Sequence, residues 1–189
     1  MTRQNGAYFD EEYLRQGSPT NTTFAESIPR WAAGSDCVIG ATGLMTSVAI
    51  PLQYGDVVTS LTFVSGGTAA DTLTHWGFAL YSSAATPALL AQTADKTTTA
   101  WAANTVKTVA LATPQLITAP GIYYAAVWMV ATAQVTLVGT ALQDAVVGGN
   151  LGLSAALLAR TSGSGLTATA PATIATPTAI VGIPYAVAT

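Results

Sequence analysis

The chain has 189 residues, about the length of one domain with a tail attached. Half of it is hydrophobic and only 8% is charged, with 36 Ala, 30 Thr and a formal net charge of −3. That balance excludes the basic surface of a nucleic-acid binder and the charge-rich, apolar-poor composition of a disordered chain.

The charges are concentrated at one end. Arg3, Asp10, Glu11, Glu12, Arg15, Glu26, Arg30 and Asp36 are eight of the fifteen. We therefore divide the chain into a polar N-terminal arm, residues 1–36, and a neutral body, residues 37–189. Within the arm, Phe9 to Arg15 has the pattern of a short helix. Asp10 can cap it, Glu11 and Arg15 stand four apart, and Phe9 and Tyr13 share a face. A helix this short is marginal in water, so the arm is expected to become ordered by lying on a neighbour. Tyr8, Phe9, Tyr13, Leu14 and Trp31 would be its apolar anchors, with Arg15 beside them. No apolar leader segment follows the first basic residue, so no signal peptide is expected.

From Gly40 onward the pattern is that of strands. Leu44 to Leu52 alternates. Tyr54-Gly55-Asp56 reads as a turn, and in the next run Val57, Leu61 and Phe63 are expected on one face, opposite Val58, Ser60 and Thr62. Ser65-Gly66-Gly67-Thr68 is another turn. Trp76, Phe78 and Leu80 line a third strand and are expected in the core. Pro87 to Thr93 is a short fourth strand, and residues 97–104 form a Thr/Ala loop around Trp101. Lys107, Val109 and Leu111 alternate with Val106, Thr108 and Ala110. Ile122 to Val130 is apolar on both faces, as a strand at the centre of a packed sheet should be, and Trp128 falls within it. Residues 134–138 continue it or begin another strand. Residues 146–159 are ambiguous, because leucines at helical spacing are interrupted by Gly148, Gly149 and Gly152. Residues 162–178 read as a loop, and Val181, Ile183, Tyr185 and Val187 form a closing strand. Short strands separated by turns every 8–12 residues predict an all-β, jelly-roll-like β-sandwich carrying an extended N-terminal arm.

The charge-free stretch from Thr108 to Gln143 has an apolar core of about 13 residues, short of the ~20 that a spanning helix needs, so no membrane span is expected. Cys37 is the only cysteine, so no intrachain disulfide can form. His75 is the only histidine. With Cys37 it could in principle form a thiol nucleophile and its base, but a buried thiol and a strand-start histidine fit these contexts better. Asp56, Asp71, Asp95 and Asp144 all lie in turn-like contexts, where Asp bonds its own backbone, and make neither a convincing glycosidase pair nor a Ca²⁺ loop. Gly66-Gly67 and Gly148-Gly149 lack the spacing of a phosphate loop. We expect no catalytic residue, no metal and no cofactor. Tyr54, in a turn, and Trp101, in its Thr-rich loop, are candidates to stack on a sugar ring or pack on a neighbouring subunit.

Several segments of the body, taken in order, carry a resemblance: Gly55-Asp56-Val57-Val58 with Leu61-Thr62-Phe63, then Thr74-His75-Trp76-Gly77-Phe78-Ala79-Leu80-Tyr81, Pro87 to Thr93, and Ala119 to Tyr124. About half the chain is covered. In this order they resemble small virion structural proteins of tailed bacteriophages, above all actinobacteriophage minor tail proteins and the jelly-roll modules of appendages and head decorations. The resemblance implies a structural role in the virion, contacts with other tail or capsid proteins, and a homo-oligomer with a trimer favoured. A separate reading, a glycan-binding module for host attachment, rests on Tyr54 and Trp101 and would add a host surface glycan as partner. The resemblance implies no catalytic residue. A surface so poor in charge would associate readily, which agrees with life inside an assembly.

Overall fold

The computed structural model describes residues 23–141 and 158–189. These form thirteen strands and one short 3-10 turn, Arg30–Ala32. The strands are β1 (Ala25–Glu26), β2 (Ser35–Val38), β3 (Met45–Leu52), β4 (Val57–Val64), β5 (His75–Tyr81), β6 (Leu89–Gln92), β7 (Val106–Leu116), β8 (Gly121–Val130), β9 (Thr136–Ala141), β10 (Ala159–Ser162), β11 (Thr178–Ala179), β12 (Gly182–Pro184) and β13 (Ala186–Ala188). All pairings between them are antiparallel. A four-stranded sheet, β1-β13-β4-β7, packs on a six-stranded sheet, β11-β10-β3-β8-β5-β6. A small third sheet, β12-β9-β2, flanks them. The expected all-β sandwich is therefore the fold. No helix among the described residues is long and apolar enough to cross a membrane.

The core lies between the two large sheets. Val48, Ile50 and Leu52 of β3, Trp76, Phe78 and Leu80 of β5, and Tyr123, Ala125, Val127 and Met129 of β8 face Leu61 and Phe63 of β4 and Val109 and Leu111 of β7. Alternate residues of the six-stranded sheet form a second apolar cluster on its outer face: Met45, Ala49, Ala79, Tyr81, Tyr124, Ala126 and Trp128. That is why β8 is apolar on both faces. It lies between β3 and β5, and both of its faces are covered.

What covers the outer face is residues 163–177, a strap without regular structure. Leu166, Ala170 and Ile174 pack on it. The Trp128 indole donates to Thr167 O at 3.1 Å, the Tyr81 hydroxyl to Pro171 O at 2.6 Å, and Ala170 N to Gln92 Oε1 at 2.9 Å. The loop foreseen at 162–178 is thus a packed layer, its backbone fixed by side chains of the sheet.

Two expectations are corrected. In β4 the buried set is Val58, Leu61 and Phe63, while Val57 is exposed. A bulge resets the alternation: Thr59 N and Ser60 N both donate to Thr189 O, at 2.6 and 2.8 Å, so two residues of β4 oppose one residue beyond β13. The arm also does not extend to residue 36. β1 pairs with β13, and β2 pairs with β9 over Ser35–Val38. Two charges counted with the arm are structural. Glu26 is buried, and Asp36 Oδ2 accepts from Gly67 N at 2.7 Å and Thr136 Oγ1 at 2.8 Å. The ambiguous stretch 146–157 lies outside the described residues.

Candidate functional site: an uncharged sheet face and its groove

The outer face of the four-stranded sheet is covered in part, over Glu26 and Val187, and is open at Thr108 and Val106. Its side chains follow from strand alternation. Where β4 turns Leu61 and Phe63 inward, Thr62 and Val64 point out. Where β7 turns Val109 and Leu111 inward, Val106 and Thr108 point out. Register then aligns Glu26, Val187, Thr62 and Thr108 in one row across the sheet. The Thr62 and Thr108 hydroxyls bond each other at 2.7 Å, and Ser60 Oγ bonds Thr189 Oγ1 at 2.6 Å. Threonine suits this place because it is β-branched, favours strands and satisfies its own hydroxyl without a charge.

A shallow groove of about 300 Å³ runs over this face, lined by Phe24, Arg30, Thr62, Val64, Val106, Tyr185, Val187 and Thr189. Its one charged element is a buried carboxylate with two donors. Glu26 accepts from Arg30 Nε and from the Tyr185 hydroxyl, and the guanidinium also lies 5.0 Å over the Phe24 ring. The hydrogen bond and charge of Glu26 raise the Arg30 pKa. Burial first, and Glu26 next, hold the Tyr185 phenol well above its ordinary range. The hydrogen bonds from Arg30 and Tyr185 hold the Glu26 side chain in place, and the charges of Glu26 and Arg30 are paired with each other.

The described residues begin beside this face, at Thr23 and Phe24. Thr23 Oγ1 accepts from Val57 N at 2.8 Å, and Phe24 lines the groove. The Tyr54 turn connects β3 to β4 at this end, with Gly55 in the left-handed region at φ +89 and Asp56 Oδ2 accepting from Gln53 N. Tyr54 is 76% exposed.

The predicted contact residues fall into three groups. Tyr8, Phe9, Tyr13, Leu14 and Arg15 lie outside the described residues. Trp31 and Tyr54 stand on the surface. Trp101 does not, and this corrects its assignment to a sugar or a neighbouring subunit. It is 1% exposed, with its ring centroid 4.9 Å from that of Trp76 and 5.6 Å from that of Phe78. Buried Ser65 turns its loop inward, accepting from Thr105 N and donating to Ala102 O.

The groups considered for chemistry are kept apart. Cys37 is enclosed in the third sheet, its thiol facing Thr140 O and Ile183 O, where Gly139 and Gly182 leave room for it. Burial, and then the charge of Asp36, push its pKa up to about 11. His75 Nδ1 instead bonds Asp95 Oδ2 at 2.6 Å, and that carboxylate also accepts from Thr97 Oγ1 and Trp76 N. Among the described residues no three His, Cys, Asp or Glu side chains gather as metal ligands.

Sequence reasoning missed Glu26 and Tyr185. The i,i+4 spacing of Glu26 and Arg30 was a usable signal. Tyr185 had none, since it lies 159 residues from its partner.

No family model matches the sequence, and no curated protein matches it.

Proposed function

We propose that this protein is a non-enzymatic structural component of a tailed-phage particle, a minor tail protein attached through its N-terminal arm with its β body facing outward. The observation that carries the reading is a Thr-bearing sheet face whose described charges, Glu26 and Arg30, are paired with each other, beside Thr23 and Phe24, where the described residues begin. Such a face offers aliphatic and hydroxyl contacts and a groove, which suit lasting association with neighbouring virion proteins or further copies of the chain, in a trimer by the resemblance. The same features serve a capsid decoration protein, so location on the head is the nearest alternative.

The structure sets where the arm can be cut. Residues from Ala25 onward are paired into the sheets, so the informative deletion removes residues 1–22. The shortened protein should keep the thermal unfolding of the full chain and fail to enter particles. Normal incorporation would refute arm docking, and a cryo-EM map of the particle distinguishes tail from head.

The exposure of Tyr54 favours one second reading, attachment to a host surface glycan. Tyr54→Ala should then abolish binding to host cell-wall glycans without changing stability. Unchanged binding would remove Tyr54 from that role.

A further inference from the structure

On the outer face of the six-stranded sheet, Arg160 of β10 stands directly opposite Ser47 of β3. Ser162, two residues on, shares that face. The other positions around Ser47 on this face are Met45 and Ala49 of β3 and Ala126 of β8, and the two alanines leave room for a long side chain to lie across the sheet. Arg160 does so. Its Cζ is 3.7 Å from the centre of the Tyr124 ring, and the residue is 5% exposed.

This guanidinium has no carboxylate partner among the described residues. Among the described residues the ion pairs are Arg30 with Glu26 and His75 with Asp95. The Tyr124 ring faces the charge but leaves Nε without an acceptor, and the hydroxyls of Ser47 and Ser162 are also buried and unpartnered. Arginine has five N–H donors and no acceptor, and it stays protonated at any physiological pH. A buried charge without a counter-ion is costly, as is a buried donor without an acceptor. Here three such groups stand side by side on two adjacent strands. One water cannot supply the missing charge. A planar group with two anionic oxygens can, because it matches the guanidinium fork and has lone pairs left for the hydroxyls.

We propose that Arg160, Ser47 and Ser162 form a binding site for a carboxylate. The group comes either from a small organic acid in solution or from an acidic side chain of a second copy. The proposal does not rest on the assembly reading above.

The test is thermal unfolding of the full chain in sodium acetate against sodium chloride at matched ionic strength, together with sedimentation velocity in both salts. If the site takes a free carboxylate with a dissociation constant on the order of 10 mM, about 200 mM acetate should raise Tm by ~5 °C over chloride. If a second copy fills it, the wild type should self-associate in chloride and dissociate in acetate. Either response should disappear in Arg160→Met, which keeps an unbranched side chain over Tyr124. It should shrink in Ser47→Ala, a milder change that serves if the Met variant fails to fold. The proposal is overturned if acetate and chloride act alike on both Tm and sedimentation of the wild type, or if the variants that fold keep the full response.

Discussion

Replacing Trp101 with Ala tests the placement of the loop that carries it. The indole is 1% exposed and closes a cluster with Trp76, Phe78 and Phe63, in which Phe63 and Phe78 lie 4.8 Å apart. Truncation to Ala removes on the order of 150 Å² of buried apolar surface, which at ~25 cal/mol per Å² is about 4 kcal/mol. The range for burying and then deleting a large aromatic is ~3–5 kcal/mol. Its one polar contact, Nε1 to Thr105 O at 3.5 Å, is long and adds little. For a chain of this size, about 4 kcal/mol corresponds to a fall in Tm of ~8–16 °C. Urea unfolding followed by near-ultraviolet circular dichroism measures the loss, since that signal reports the packing of the remaining aromatics. Trp101→Phe should recover much of it. A loss below ~1 kcal/mol for the Ala variant would mean that the side chain is not a core residue, and the reasoning would fail. The same variant then cannot serve as a probe of glycan binding, because lost binding would follow from lost packing.

The buried thiol predicts a pH dependence. Its pKa lies at about 11 in the fold against an ordinary 9.0, so the folded state holds that proton more tightly than the unfolded chain does. The contribution is fully present below pH 9 and is lost as pH rises from 9 to 11, at about 1.4 kcal/mol per unit. The difference in unfolding free energy between wild type and Cys37→Ala, from urea titrations, should drift by that amount across the window, and a flat difference would refute the burial argument. At neutral pH a thiol reagent should label Cys37 only after denaturant is added. Gly77→Ala places a Cβ 2.4 Å from Trp128 Cη2 and 2.9 Å from Thr93 Oγ1. Because Trp128 is fully buried and its Nε1 holds the strap at Thr167, displacing the ring should cost ~1–3 kcal/mol and open residues 163–177 to protease cleavage. A cleavage pattern identical to wild type would show that the indole does not fix the strap.

The sequence by itself determined those features that depend on neighbours along the chain. Alternation marked the strands, and Gly and Asp marked the Tyr54-Gly55-Asp56 turn. The two apolar faces of residues 122–130 announced a central strand, and Trp76 and Trp128 declared themselves core by lying within strands. Tertiary structure decided the rest, because each remaining feature has a partner far away. The face of Val57 and Val58 depends on a bulge held by Thr189. The burial of Trp101 depends on Ser65 and on Trp76. Glu26 and Asp36 looked like arm charges, and only Tyr185, Gly67 and Thr136 show that they belong to the body. The candidate site divides in the same way. A low-charge, Thr-rich surface is legible from composition, but its groove exists only where β1, β4, β7 and β13 come together, since register across a sheet is set by hydrogen bonds between segments that the sequence holds far apart.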